Sequence, residues 1–502
     1  MTCLSLPTAW PTAVFLVTFT FVAYRWAVAR ASSSSETSAI PAAGRSGLLG
    51  SYISAIEFLR DAPAFLQDGY VKYKGRAFRV PHLTHWTIIV SGDLIDEFFQ
   101  LPSRVASLQD AVREMLQADY TLGRTLITNP YHIPLVRKLR NRIDAYFPGV
   151  HEEPVRVVDR ELSSSSGEWV RVEGFNLMLT AFGHASNRVL VGPALCRDDR
   201  FISICIEYSH EVIKAAALLY VLPKWCKPLA SRLFKINRYI NTAASILRPL
   251  IKERRVTATT DLNRGDMLDW LLERADVSES DVISLTRRIL TLNFAALHTT
   301  TLTFTHALYH AAAHPAYADA LREELVPVYR TDWTWSALDA LPMLNSFLKE
   351  TQRLEGLGCL SLARKARESF TLSDGTTVPA GAFVAVAGTA IHRDSADFED
   401  PLTFNPWRFA LEDQGFARAQ NITNTSPTHL AFGHGRTACP GRFFAAMEMK
   451  TLLAHLVIHY DIKFDGDGGR PPNKWFSIHC IPDPHAKLMF RRRAAEMQGQ
   501  DE

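Results

Sequence analysis

The stretch Phe432–Gly441, F-G-H-G-R-T-A-C-P-G, constrains this chain more than any other part of it. It sets Cys439 just ahead of an apolar run through Phe443, Met447 and Leu452 that reads as a helix to about His459. Gly435 permits backbone geometry that a side chain would block. Gly441 lets the chain approach a flat ligand closely. Pro440 suits the first position of a helix, where its missing N–H costs nothing. Cys439 is therefore expected at a helix N-terminus, where free N–H groups and the helix dipole favour an anion. Such a setting lowers a thiol pKa and yields the thiolate, the form that binds metal.

The other cysteines do not compete for that role. There are seven in all, scattered and without a C-x-x-C pair. That is a poor disulfide framework and a poor zinc site, and it suits a reducing compartment. Hydrophobic residues at 47% against charged residues at 21% exclude a disordered chain. A net charge of +3 is too balanced for nucleic-acid binding.

The complete pattern F-x-x-G-x-x-x-C-x-G resembles the cysteine-ligand loop of cytochromes P-450. The resemblance implies a haem b whose iron takes the Cys439 thiolate, with Phe432, Gly435, Arg436 and Gly441 around it. A thiolate pushes electron density onto haem iron and favours O–O cleavage. The family usually has its basic residue two positions before the cysteine. Here that position is Thr437, and Arg436 lies one earlier. This variant, F-G-H-G-R-x-A-C-P-G-R-F-F-A, resembles a fungal subgroup that tailors terpenoids.

Further motifs follow the family's order. Glu350 and Arg353 form E-x-x-R at a spacing that shares one helix face. With Arg408 in F-N-P-W-R-F they resemble the family's charge cluster behind the haem, which is structural rather than catalytic. The long helical run Asp281–Ala313 holds A-A-L-H-T-T-T at Ala295–Thr301. By resemblance this segment crosses the oxygen side of the haem. Thr299 fills the family's alcohol position and His298 replaces its acid, so both are candidates for relaying protons; a histidine side chain alone titrates at about pH 6.5. A core or substrate-lining histidine is the alternative for His298. Arg137, Arg364 and His392 resemble residues that meet the haem propionates, although Ile133 stands where the family has Trp. The run Arg137, Lys138, Arg140, Arg142 reads either as a solvated helix face or as a docking face for an acidic reductase.

The fold class expected is mainly α with a minor β part, a P-450 fold preceded by one transmembrane helix. Residues 1–30 form the membrane anchor, 31–50 a flexible linker and 51–502 the catalytic domain. Met1–Tyr24 carries no charge, and Trp10–Ala29 is long enough to span a bilayer. Arg25 and Arg30 follow with no basic residue before them. That places the remainder in the cytosol and, by resemblance, at the endoplasmic reticulum membrane. A cleaved signal peptide would need a basic start that is missing here. Strands are expected at Ala77–Val80 and Thr87–Ser91. A hairpin is expected from Phe370 to Val378, with Asp374-Gly375 at its turn.

By the family pattern, Leu292, Ala295, Leu360 and Ile478 line a substrate pocket, together with a loop near Val105–Leu116. They are mostly apolar, as ligand pockets are. The implied function is insertion of one oxygen atom from O2 into a lipophilic substrate, a terpenoid of fungal secondary metabolism. Electrons would come from NADPH through a reductase partner. A reductase-independent isomerase or dehydratase, and a non-catalytic haem sensor, remain as alternatives.

Overall fold

The computed structural model describes residues 37–45, 47–163, 167–257, 265–275, 279–410, 420–466 and 469–493. The chain divides into two compact units, and it returns to the first one twice after leaving it. Of the described residues, the first unit takes those up to Thr121 together with Lys214–Phe234 and Leu362–Ala387; the second takes the others.

In the first unit a five-stranded sheet runs in the order Phe78–Pro81, Trp86–Val90, Phe383–Val386, Ser361–Ala366, Ala106–Ser107. Trp86–Val90 is buried along its whole length. It pairs antiparallel with Phe78–Pro81 and parallel with Phe383–Val386. A strand flanked on both edges and covered on both faces needs the continuous apolar run W-T-I-I-V. The expected hairpin forms from Phe370–Thr371 and Thr377–Val378, with Gly375 at φ 83.

Two expectations are corrected in this unit. The stretch Val105–Leu116 is not a loop: Ala106–Ser107 is a strand and Leu108–Met115 a helix. The Ser107 hydroxyl accepts from the Asp110 N–H at 3.1 Å, the usual way of satisfying a first-turn donor. Residues 37–45 of the expected linker are packed, with Ile40 and Ala43 buried. Their backbone joins the sheet edge: Ala43 N–H donates to the Arg79 carbonyl, and Arg79 N–H to that of Pro41, both at 2.9 Å. The expected anchor, 1–30, lies outside the described residues. Among the described residues no helix is long and apolar enough to cross a membrane.

The second unit is built on the central helix Val282–Ala313. Asp281 caps it, accepting from the N–H groups of Ile283 and Ser284 at 2.9 and 3.1 Å. Its apolar residues go nearly all round because helices Gly174–Leu190, Ile236–Thr257 and Arg442–His459 pack on it. Asn187 and Asn293 exchange side-chain hydrogen bonds of 2.7 and 3.0 Å in that interior. A buried amide pair satisfies both partners in only one register, so it fixes how the two helices slide. An antiparallel sheet of Trp169–Glu173, Lys487–Arg492 and Tyr460–Phe464 completes the unit.

Candidate active site

The cysteine loop owes its shape to two glycines. Gly433 and Gly435 adopt φ 69 and 64, which a side chain would strain. The fold-back lets Cys439 N–H donate to the Phe432 carbonyl at 2.8 Å. Helix Arg442–His459 begins later than expected: Gly441 is its cap, and Pro440 stays outside it. Even so, the backbone amides of Gly441 and Arg442 lie on the side of the Cys439 sulfur and favour its anion, the Arg442 N–H itself bonding the Cys439 carbonyl at 3.5 Å. Burial outweighs them and the nearby Arg442 guanidinium, so the thiol pKa is pushed up in the protein alone. A coordinated cation reverses that balance, because a ligating thiol is deprotonated outright. Arg442 also donates to the Cys439 carbonyl at 2.9 Å and to that of Thr423 at 3.2 Å. Sequence reading passed over this clamp, although the P-G-R run was its signal.

Helix His132–Lys138 lies against the loop. A Cβ on Gly441 would meet only Val136, at an ordinary 3.6 Å. Arg137 reaches the Arg436 carbonyl at 3.5 Å, and Arg140 lies 4.2 Å over the Phe443 ring. Arg137, Arg140 and Arg436 are exposed. Arg137, Lys138 and Arg274 border a surface cleft of about 520 Å³.

The central helix is buried along most of its length, yet Ala295 and Thr299 on it are exposed and His298 is half-buried. Residues four apart share a helix face, so open space borders the middle of this helix. The Thr299 hydroxyl donates to the Ala295 carbonyl at 2.9 Å, which leaves its oxygen lone pairs free to accept. Leu292, one turn earlier, is buried. Leu360 and Ile478 are half-buried and are brought together by the Gly358–His479 bridge and the Cys359 N–H bond to the Ile478 carbonyl at 2.9 Å.

The charge cluster assembles as its motifs imply. Glu350, fully buried, accepts from Arg353 Nε at 2.7 Å and Nη2 at 2.8 Å. Arg408 Nε lies 3.2 Å from both its oxygens, and Asn405 N–H donates at 3.0 Å. Arg353 also donates to the carbonyls of His392, Pro401 and Thr403. Two cations around one carboxylate leave a surplus charge, which these carbonyls solvate.

Two expected propionate partners are committed elsewhere. Arg364 is buried and donates to the carbonyls of Phe98, Phe99 and Leu101 at 2.9–3.4 Å. It serves the open C-terminal end of helix Leu94–Gln100, where a cation also suits the dipole. His392 bonds the Arg353 carbonyl through Nδ1 at 3.0 Å and accepts the Leu430 N–H at Nε2 at 2.8 Å. Those partners fix one neutral tautomer, and burial holds the pKa at about 3. His392 thus ties the E-x-x-R helix to the chain entering the cysteine loop. His298 is also neutral at pH 7, since burial and the neighbouring His210 lower its pKa to about 4. A neutral imidazole still carries one N–H donor and one acceptor nitrogen.

A second buried group, His306, Glu355 and Cys480, has ligand atoms within 4.8 Å of one another. Arg470 Nη2 sits 2.9 Å from Glu355 and 3.2 Å from His306 Nδ1. The guanidinium takes the place a cation would need, so this is an ion cluster.

The sequence matches the family model described as Cytochrome P450 over residues 132–489. The chain belongs to the cytochrome P450 family. A relative from Postia placenta, cytochrome P450 monooxygenase 103, is 38% identical, covering 91% of this chain and 93% of its own. An ent-kaurene oxidase of Gibberella intermedia is 30% identical over 92% and 90%. Retinoic acid bound cyanobacterial CYP120A1 shares the fold at a TM-score of 0.67 and 18% identity, covering 88% and 96%. The chain is accordingly a cytochrome P450 monooxygenase, and the family implies a haem. The residues fit one: a half-buried sulfur, a Gly441 that neither φ nor protein packing requires, and an open face on a buried helix.

Proposed function

We propose that this P450 hydroxylates a lipophilic terpenoid, with a haem b bound through Cys439 and electrons drawn from NADPH through a reductase. The observation that carries this reading is the joint one: a two-glycine loop folded back so that Cys439 N–H meets the Phe432 carbonyl, and a central helix whose only exposed mid-helix residues are Ala295 and Thr299. When bound, the haem supplies the activation of O2.

The chain's own residues then have separable tasks. Cys439 holds the iron as thiolate, steadied by the Gly441 and Arg442 amides. Phe432, Gly435 and Gly441 shape the cysteine loop, while Arg137 and Arg436 would offer donors to the carboxylates of the haem. Thr299 carries a proton on its hydroxyl: it releases the Ala295 carbonyl, donates toward the open face and is re-protonated from water. Leu292, Ala295, Leu360 and Ile478 supply apolar wall, which excludes water and orients an apolar substrate. The run Arg137, Lys138, Arg140 and Arg142, of which Arg137 and Arg140 reach the cysteine loop and the helix after it, forms the docking face for an acidic reductase. Residues 1–30 anchor the enzyme to the endoplasmic reticulum membrane with its catalytic part cytosolic, a reading supported by their hydropathy and the following arginines. The terpenoid assignment is supported by the form of the cysteine loop and by the likeness to an ent-kaurene oxidase.

The test is a carbon monoxide difference spectrum of the reduced protein, followed by turnover of a terpene panel with NADPH and reductase. A thiolate-type long-wavelength band that Cys439→Ser abolishes, with NADPH-dependent product, is expected. Conversion without NADPH would establish isomerase or dehydratase chemistry, and haem without any product a sensor; either result overturns the proposal.

A further inference from the structure

The open space beside Ala295 and Thr299 has a polar corner. Helix Asp199–Val221 brings His210 to His298, with ring centroids 5.0 Å apart and planes at 35°. His210 is exposed although its ring lies against the central helix of the unit. Ile206 and Ile213 share its helix face, at spacings of four and three residues, and neither is buried. This face therefore opens onto space instead of packing. Within it, His298 Nε2 is closed off from solvent and makes no hydrogen bond among the described residues. An orphaned buried polar atom is costly, and native structures keep few of them.

We propose that His298 and His210 form a recognition subsite for a hydroxyl or carboxyl group on the substrate. The enzyme then acts on a lipophilic molecule that is already oxygenated, and an earlier oxidation or hydration of the hydrocarbon skeleton must supply it. This rests on the monooxygenase reading above and names the substrate class of the same site.

The chemistry matches on both sides. A neutral imidazole offers one donor and one acceptor. A hydroxyl group both gives and takes hydrogen bonds, and a carboxylate accepts one from each ring N–H. Burial holds His298 in the neutral form that this pairing needs. His210, exposed beside it, presents its ring on the open side of the pair. A pocket lined by apolar walls with one such polar corner binds by area and orients by the corner. It also discriminates steeply, because a ligand lacking the oxygen leaves the buried polar atom unpaired.

The experiment uses the full haem-loaded chain and matched triples of ligand on one skeleton: a hydrocarbon, its primary alcohol and its carboxylic acid. One diterpene triple and one triterpene triple are titrated by isothermal calorimetry, which reads affinity without turnover. The alcohol or the acid is expected to bind about 10- to 100-fold more tightly than its hydrocarbon, the range for gaining buried hydrogen bonds. His298→Phe and His210→Phe should each bring that ratio close to one, and His298→Asn should keep part of it. Haem content checks that each variant is folded. Equal affinities within both triples, absence of binding by every ligand, or a preference that survives both Phe variants would overturn the proposal. Failure of the monooxygenase reading shows separately, as a missing thiolate band, while the calorimetric preference stands on its own.

Discussion

Arg353→Ala tests whether the buried charge cluster holds the cysteine loop in place. The side chain is fully buried and bonds Glu350 bidentately at 2.7 and 2.8 Å. Removing one partner of a buried ion pair costs about 3–5 kcal/mol. Two features of the cluster pull within that range. Glu350 keeps Arg408 at 3.2 Å and the Asn405 N–H at 3.0 Å, which moderates the loss. The carbonyls of His392, Pro401 and Thr403 lose a donor, which adds to it. We expect about 4 kcal/mol, a large part of a native margin of about 5–15 kcal/mol. With a urea dependence of about 3 kcal/mol per M, the unfolding midpoint falls by more than about 1 M. Circular dichroism reads that midpoint, and haem absorbance per protein reads loop integrity, which should fall with it. Arg353→Lys keeps the charge but loses the fork, so it should lie between. An Arg353→Ala protein with the wild-type midpoint and full haem content would refute the account.

Arg364→Leu should destabilise the fold by about 1–3 kcal/mol, because the carbonyls ending helix Leu94–Gln100 lose their donor; haem release to apomyoglobin should keep its wild-type rate, and a markedly faster release would restore the propionate role. The His392 pKa is about 3 in the fold against 6.5 in an unfolded chain. Its depressed value means that its contribution is complete above pH 6.5 and is lost as pH falls toward 3. His392→Gln should therefore flatten the stability slope between pH 6 and 5 by about 1.4 kcal/mol per pH unit, and an unchanged slope in urea titrations at the two pH values would contradict this. Thr299→Ala should lower product formed per NADPH on the order of 100-fold while NADPH consumption continues; unaltered coupling would remove the hydroxyl from the proton path.

What the chain alone determined is largely local. The central helix came from the helical run Asp281–Ala313, and the hairpin from Asp374-Gly375. The cysteine loop and the E-x-x-R pair were legible because each packs its chemistry into a few consecutive residues. What only the tertiary structure decided is where long, flexible or neutral side chains spend their hydrogen bonds. Arg364 and His392 carry groups that suit a carboxylate, yet they bond backbone carbonyls and an amide from distant segments. Nothing in their own neighbourhoods announces that. His210 and His298 stand 88 positions apart by number, and no spacing rule links them. They meet because two helices cross there, and the open face around Ala295 and Thr299 exists only where the neighbouring helices fail to close over it.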